Sequence, residues 1–187
     1  MKKILLLAVV MFASLNASAQ QREGHLELIP KVGFNLANLA GDVNNNSIKF
    51  ALFGGAEAMY QVSPMIGVSG GLLFSAQGCE GDGDASIAMT FLNIPCLANF
   101  YVAPNLALKV GLQPAFCLSS KQKDTHTSYD LSSQTIVIDL PFGISYEFGN
   151  FMIDARYNLG LSKINKGSGS IRNSVFQIGV GYKIPLL

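Results

Sequence analysis

Charge is scarce in this chain. Of its 187 residues only 13% are Asp, Glu, Lys or Arg, while 49% are hydrophobic and the mean hydropathy is +0.33. Soluble domains carry about 25% charged residues, so part of this surface is not built for water. The formal net charge is +1 and no basic run occurs, which argues against a nucleic-acid partner. Histidine is limited to His25 and His126, and the cysteines Cys79, Cys96 and Cys117 are odd in number and lack metal-ligand spacing. No phosphate loop or nucleotide fingerprint is present, and no cofactor or metal is expected. Beyond the first twenty or so positions no apolar run approaches the ~20 residues a spanning helix needs, which excludes a helical membrane protein.

The N-terminus has a pattern of its own. Lys2 and Lys3 precede the apolar run Ile4 to Leu15, and Ala17-Ser18-Ala19 follows. A charged start, a short apolar stretch and small residues at a cleavage point describe a secretory signal peptide. The expected division is a signal peptide over 1–19 and one domain over 20–187. With no cysteine at the cleavage point, a lipid anchor is not expected.

What fills the rest is alternation with period two. From Phe151 every second residue reads Phe151, Ile153, Ala155, Tyr157, Leu159, Leu161, against Met152, Asp154, Arg156, Asn158, Gly160. Seven other segments behave alike, starting near Leu26, Ile48, Ile66, Leu92, Leu106, Ile136 and Phe176. Ser63-Pro64-Met65, Ala103-Pro104-Asn105 and Gly149-Asn150 read as tight turns, and Gly-Asn suits a two-residue hairpin. Longer polar loops are expected near 38–47, 78–89, 119–134 and 162–174. Eight strands with short turns at one end and long loops at the other describe an all-β, eight-stranded antiparallel up-and-down barrel. In an outer membrane the short turns would face the periplasm and the long loops the outside.

A soluble lipocalin-like barrel binding a small apolar ligand would place the apolar face inward. Three features favour the inverted, membrane-spanning arrangement. The apolar face carries no charge in any of the eight segments, as lipid demands. The polar face is rich in small residues such as Gly33, Gly55, Gly71, Gly111 and Gly143, which suit the narrow interior of eight strands. The apolar side chains would overfill that interior. About 12 residues at ~3.3 Å rise, tilted ~45°, span about 27 Å, close to the apolar band of a membrane barrel. Tyr60, Phe100, Tyr146, Phe148, Phe151 and Tyr182 are expected to form a lower aromatic girdle, and Phe50, Phe74, Phe116 and Phe176 an upper one.

The inward charges then balance. Acids Glu27, Glu57, Asp139, Glu147 and Asp154 meet bases Lys31, Lys49, Lys109, Arg156 and Lys183. Buried charge persists when paired and hydrogen-bonded, so the lumen is expected to be a salt-bridged plug rather than an aqueous pore. Contact is expected among Glu27, Glu147 and Lys183 at the periplasmic end. The expected role is structural or interactive, with outer-membrane lipid around the barrel and an extracellular ligand or protein at the long loops. A narrow diffusion pore and a lipid-modifying enzyme are the alternatives. The enzyme would rest on His126 beside Asp124 and Ser119, Ser120 or Ser128, and a lone loop histidine is far more often merely solvated. A Cys79–Cys117 disulfide near the outer end is a further option. Glu80, Asp82 and Asp84 lack EF-hand spacing and read as a solvated loop.

Lys31-Val-Gly-Phe-Asn35, Gly71-Leu-Leu-Phe-Ser-Ala-Gln-Gly78, Phe91-Leu-Asn-Ile-Pro95 and Gln177-Ile-Gly-Val-Gly-Tyr182 occur in that order. In these pieces the chain resembles the PorT-like, "porin family" outer-membrane β-barrel proteins of Bacteroides and relatives. The resemblance covers nearly all of the chain after the signal peptide. It implies an eight-stranded outer-membrane barrel and no particular activity.

Overall fold

The computed structural model describes residues 23–41, 47–80, 86–124, 127–130, 136–162 and 171–186. The expected signal peptide lies outside them. The described residues contain β1 (Leu26–Gly41), β2 (Ser47–Ser63), β3 (Ile66–Glu80), β4 (Ser86–Asn93), β5 (Cys96–Ala103) and β6 (Leu106–Asp124). β7 (Thr127–Asp130), β8 (Ile136–Phe148), β9 (Phe151–Gly160), β10 (Ile171–Tyr182) and β11 (Ile184–Pro185) follow. No helix occurs among them.

These strands make eight staves. The order is β10-β9-β8-β6-β4-β3-β2-β1, and β1 pairs with β10 to close the ring. β5 continues the stave of β4 between β3 and β6. β7 lies against the outer end of β6 on the stave of β8. β11 continues β10 along β1. Every pairing is antiparallel, and the β1–β10 pairing closes the ring, the condition for crossing lipid with strands; beyond the closed section β7 pairs with β6 alone among the described residues.

Two sequence expectations are corrected. The segment from Leu92 to Val102 is not one unbroken strand; it is interrupted at Ile94 and Pro95. Pro95 has no N–H for the ladder. Its carbonyl still accepts from Gly71 N at 3.2 Å, and Ile94 N donates to Pro114 O at 2.8 Å, so the stave stays closed. The strands also run further outward than the polar loops suggested, to Gly41, Glu80 and Asp124, and β7 lies wholly within the expected loop 119–134. There the hydrophobic alternation fades, although the backbone ladder continues.

The short turns fall where expected, at Pro64–Met65, Pro104–Asn105 and Gly149–Asn150. Gly149 has φ +61° and Asn105 φ +67°, a left-handed conformation that these two residue types adopt most readily.

Burial follows the alternation, with the apolar stripe outward. Val32 is 67% exposed and Phe50 70%, whereas Arg156 is 1% exposed. The lipocalin-like arrangement is the reverse of this. Phe148, Phe151 and Tyr182 pack together beside the Gly149–Asn150 turn, with centroids 5.9 and 5.1 Å apart, and all three are exposed. Phe34 and Phe50 meet edge-on at 6.2 Å toward the other end. Inward glycines make room for inward bulk. The Phe53 ring occupies the space a Cβ would need at Gly33 and Gly179, at 2.6 Å from each such position.

Candidate functional site

The lumen holds the charge, and adjacent strands deliver it by register. Lys31 on β1 stands between Gly55 of β2 and Gly181 of β10. Arg156 on β9 stands between Gly143 of β8 and Gln177 of β10. With glycine as a cross-strand neighbour, each long side chain can cross the interior. Lys31 Nζ lies 2.6 Å from Glu57 Oε2 and 3.4 Å from Asp154 Oδ2. Lys109 Nζ lies 2.6 Å from Asp154 Oδ2. Arg156 donates from Nη2 to Glu57 Oε1 and from Nε to Asp154 Oδ1, both at 2.7 Å. The five side chains are at most 4% exposed. They join β1, β2, β6 and β9 across the barrel, and three cations face two anions.

A second cluster lies at the short-turn end. Lys183 Nζ is 2.6 Å from Glu147 Oε2 and 3.0 Å from Glu27 Oε2. Tyr101 donates its hydroxyl to Glu147 Oε1 at 2.7 Å. Lys183 follows β10 directly, so these bonds tie the last stave to β1 and β8. Below the central cluster Ile29, Met59 and Met152 form an apolar group inside the lumen.

Above the central cluster the lumen is lined by amides. Asn35 Nδ2 donates to Ser75 Oγ at 2.9 Å, Gln77 Nε2 to the same oxygen at 3.0 Å, and Gln177 Nε2 to Asn35 Oδ1 at 2.9 Å. On the opposite wall Asn93, Gln113, Asp139 and Asn158 are all buried.

Of the ten charged residues singled out from the sequence, Lys31, Glu57, Lys109, Asp154 and Arg156 are brought into one cluster, and Glu27, Glu147 and Lys183 into another. Asp139 joins neither and is 1% exposed. Lys49 sits higher on β2, in register with Ala37, and is half-buried. Sequence reasoning missed Tyr101 as the partner of Glu147. Its signal was its place among the inward residues of the fourth segment, next to a turn.

The remaining chemical options separate by location. His126 and the side chains of Glu80, Asp82, Asp84 and Cys79 lie outside the described residues. Cys96 is exposed on the lipid face. β4 runs between β3, which carries Cys79, and β6, which carries Cys117. Two inter-strand spacings put their backbones about 9.6 Å apart or more, beyond the ~7 Å Cα limit of a disulfide.

Among solved structures the barrel is similar to Ail, the attachment invasion locus protein of Yersinia pestis. The TM-score is 0.58 at 16% identity, over 87% of this chain and 100% of that one. Neisserial surface protein A gives 0.59 at 14% identity, over 87% and 100%. OprG of Pseudomonas aeruginosa gives 0.51 at 11%, over 89% and 99%. At such identities the likeness is one of fold. No curated protein sequence matches. The model of the family described as "Outer membrane protein beta-barrel domain" matches residues 18–166. An apolar convex surface, a closed antiparallel ring and that match converge: the chain belongs to the outer membrane protein β-barrel family and resides in the outer membrane.

Proposed function

We propose that this protein is a non-conducting outer-membrane barrel of the PorT-like group found in Bacteroides and relatives. Its lumen is plugged by ion pairs, and its work is done at the outer end, where segments between strands meet an extracellular ligand or protein. It is exported by a signal peptide cleaved after Ala19 and acts without catalysis. The observation that carries the plug is the cluster of Lys31, Glu57, Lys109, Asp154 and Arg156. Five buried groups on four strands occupy the section through which an ion would have to pass, and each ion pair has an N···O distance of 3.4 Å or less. An aqueous channel would hydrate such charges instead of pairing them.

Single-channel recording in planar bilayers tests the reading. The refolded protein should give no unitary current, and the double variant Glu57→Ala with Arg156→Ala should give one. Steady unitary currents from the unmodified protein would mean a diffusion pore.

A further inference from the structure

Among the described residues Asp139 is the one inward acid that the two charge clusters leave out. It is 1% exposed, both of its carboxylate oxygens have no hydrogen-bond partner, and it takes part in no ion pair among the described residues. An ionised carboxylate so placed is strongly disfavoured unless something compensates it. Its neighbours share the deficit. Gln113 stands directly opposite it across β6 and β8, and its side chain comes within hydrogen-bonding range of the carboxylate without reaching good hydrogen-bond geometry. Asn158 faces Pro141 on the other side, one diagonal step from Asp139, and both of its amide atoms are unpartnered. Asn93 faces Ala115, one diagonal step from Gln113, and is also unpartnered at both atoms. Diagonal neighbours stand ~7–8 Å apart, within reach of side chains this long.

We propose that Asp139, Gln113, Asn158 and Asn93 form a binding site for a monovalent alkali cation in the outer half of the lumen. A proton on Asp139 shared with Gln113 would still leave the amides of Asn158 and Asn93 without partners. A central cation with its water satisfies the carboxylate and the amide oxygens together. The donors are all oxygen, which selects a hard cation over a transition metal. The site has one negative charge, so a monovalent ion neutralises it. A divalent ion would leave excess positive charge beside a cluster that already holds three cations and two anions. Sodium and potassium share this chemistry. The proposal does not depend on whether the lumen conducts.

The test uses the full barrel refolded in detergent. Crystals soaked in thallium(I), a heavy stand-in for an alkali cation, should show an anomalous peak at the Asp139 carboxylate. Stability is then followed as sodium or potassium chloride replaces N-methylglucamine chloride at fixed ionic strength. At a salt concentration ~100 times the dissociation constant the folded-to-unfolded ratio should rise about 100-fold. That rise should vanish in Asp139→Asn and need about tenfold more salt in Gln113→Leu. Water alone at the site, an equal salt response in Asp139→Asn, or a protonated-carboxyl infrared band that Asp139→Asn removes would each overturn the proposal. Should Asp139→Asn fail to fold, the thallium peak in the unmodified barrel decides alone.

Discussion

Removing a cation from the central cluster should cost less than removing an anion. Three cations, Lys31, Lys109 and Arg156, share two anions, Glu57 and Asp154. Arg156→Met deletes two charge-assisted hydrogen bonds of 2.7 Å. It leaves two cations against two anions, with Lys31 still on Glu57 and Lys109 still on Asp154, each at 2.6 Å. No charge is stranded, and the methionine fills much of the vacated volume. Replacing a buried ion pair by packed apolar atoms is often near neutral, so the expected loss is about 1–3 kcal/mol. Glu57→Gln deletes an anion and leaves three cations around Asp154, with Lys31 reduced to its 3.4 Å contact. An uncompensated buried charge costs about 3–5 kcal/mol. The difference should be about 2 kcal/mol, and its sign comes from counting charges, not bonds, since Arg156 makes two of the bonds and Glu57 accepts two. The chain has no tryptophan, so urea unfolding in detergent is followed by circular dichroism and by gel mobility before and after boiling. A loss in Arg156→Met as large as in Glu57→Gln would refute the charge count. Losses below ~0.5 kcal/mol in both would mean that the cluster is hydrated.

Three other substitutions probe separate parts of the account. Val110, 42% exposed on the convex face, adjoins the buried Lys109; Val110→Arg should destabilise the barrel by roughly 2–4 kcal/mol in vesicles, and a neutral result would place that face in water. Gly143→Ala would drive a Cβ into Ala155 O and to 2.6 and 2.7 Å from Arg156 Cα and Cβ, costing about 1–3 kcal/mol or more by overpacking, measured as a drop in urea midpoint. Lys183→Met leaves Glu27 and Glu147 facing each other at the seam, with Tyr101 still donating to Glu147. Because Glu27 remains partly exposed, at 16%, the loss should stay below that of Glu57→Gln, and proteolysis should find the C-terminal segment first.

Much of this architecture was legible because lipid and a narrow lumen impose opposite demands on alternate residues. Phe151, Ile153 and Leu159 against Met152, Asp154 and Arg156 is enough to assign both faces of β9, and the same reading put Glu27, Glu147 and Lys183 at one end. The alternation is informative only inside the membrane. At 119–124 every residue is polar and at 38–41 Asn38, Leu39, Ala40 and Gly41 show no clear alternation, so both stretches read as loops although the ladder continues. The break at Pro95 was hidden because Leu92, Ile94 and Cys96 keep the alternation across it. Pairing within the lumen was out of reach for a different reason. Which base meets which acid depends on the stagger of strands around the ring, and no local pattern encodes that. Hence Asp139 was counted with the network, whereas the register sets it opposite Gln113.

The most direct measurement is collision accessibility of nitroxide labels placed singly along β8 and β10 in lipid vesicles. Labels at Ile138, Phe142, Ile178 and Val180 should be relaxed by dissolved oxygen and untouched by a water-soluble nickel chelate. Labels at Ser145 and Gln177 should be shielded from both. Nickel access at Ile138 and Val180, with oxygen access confined to Ser145 and Gln177, would contradict the assignment of the apolar stripe to lipid and the charged stripe to the interior.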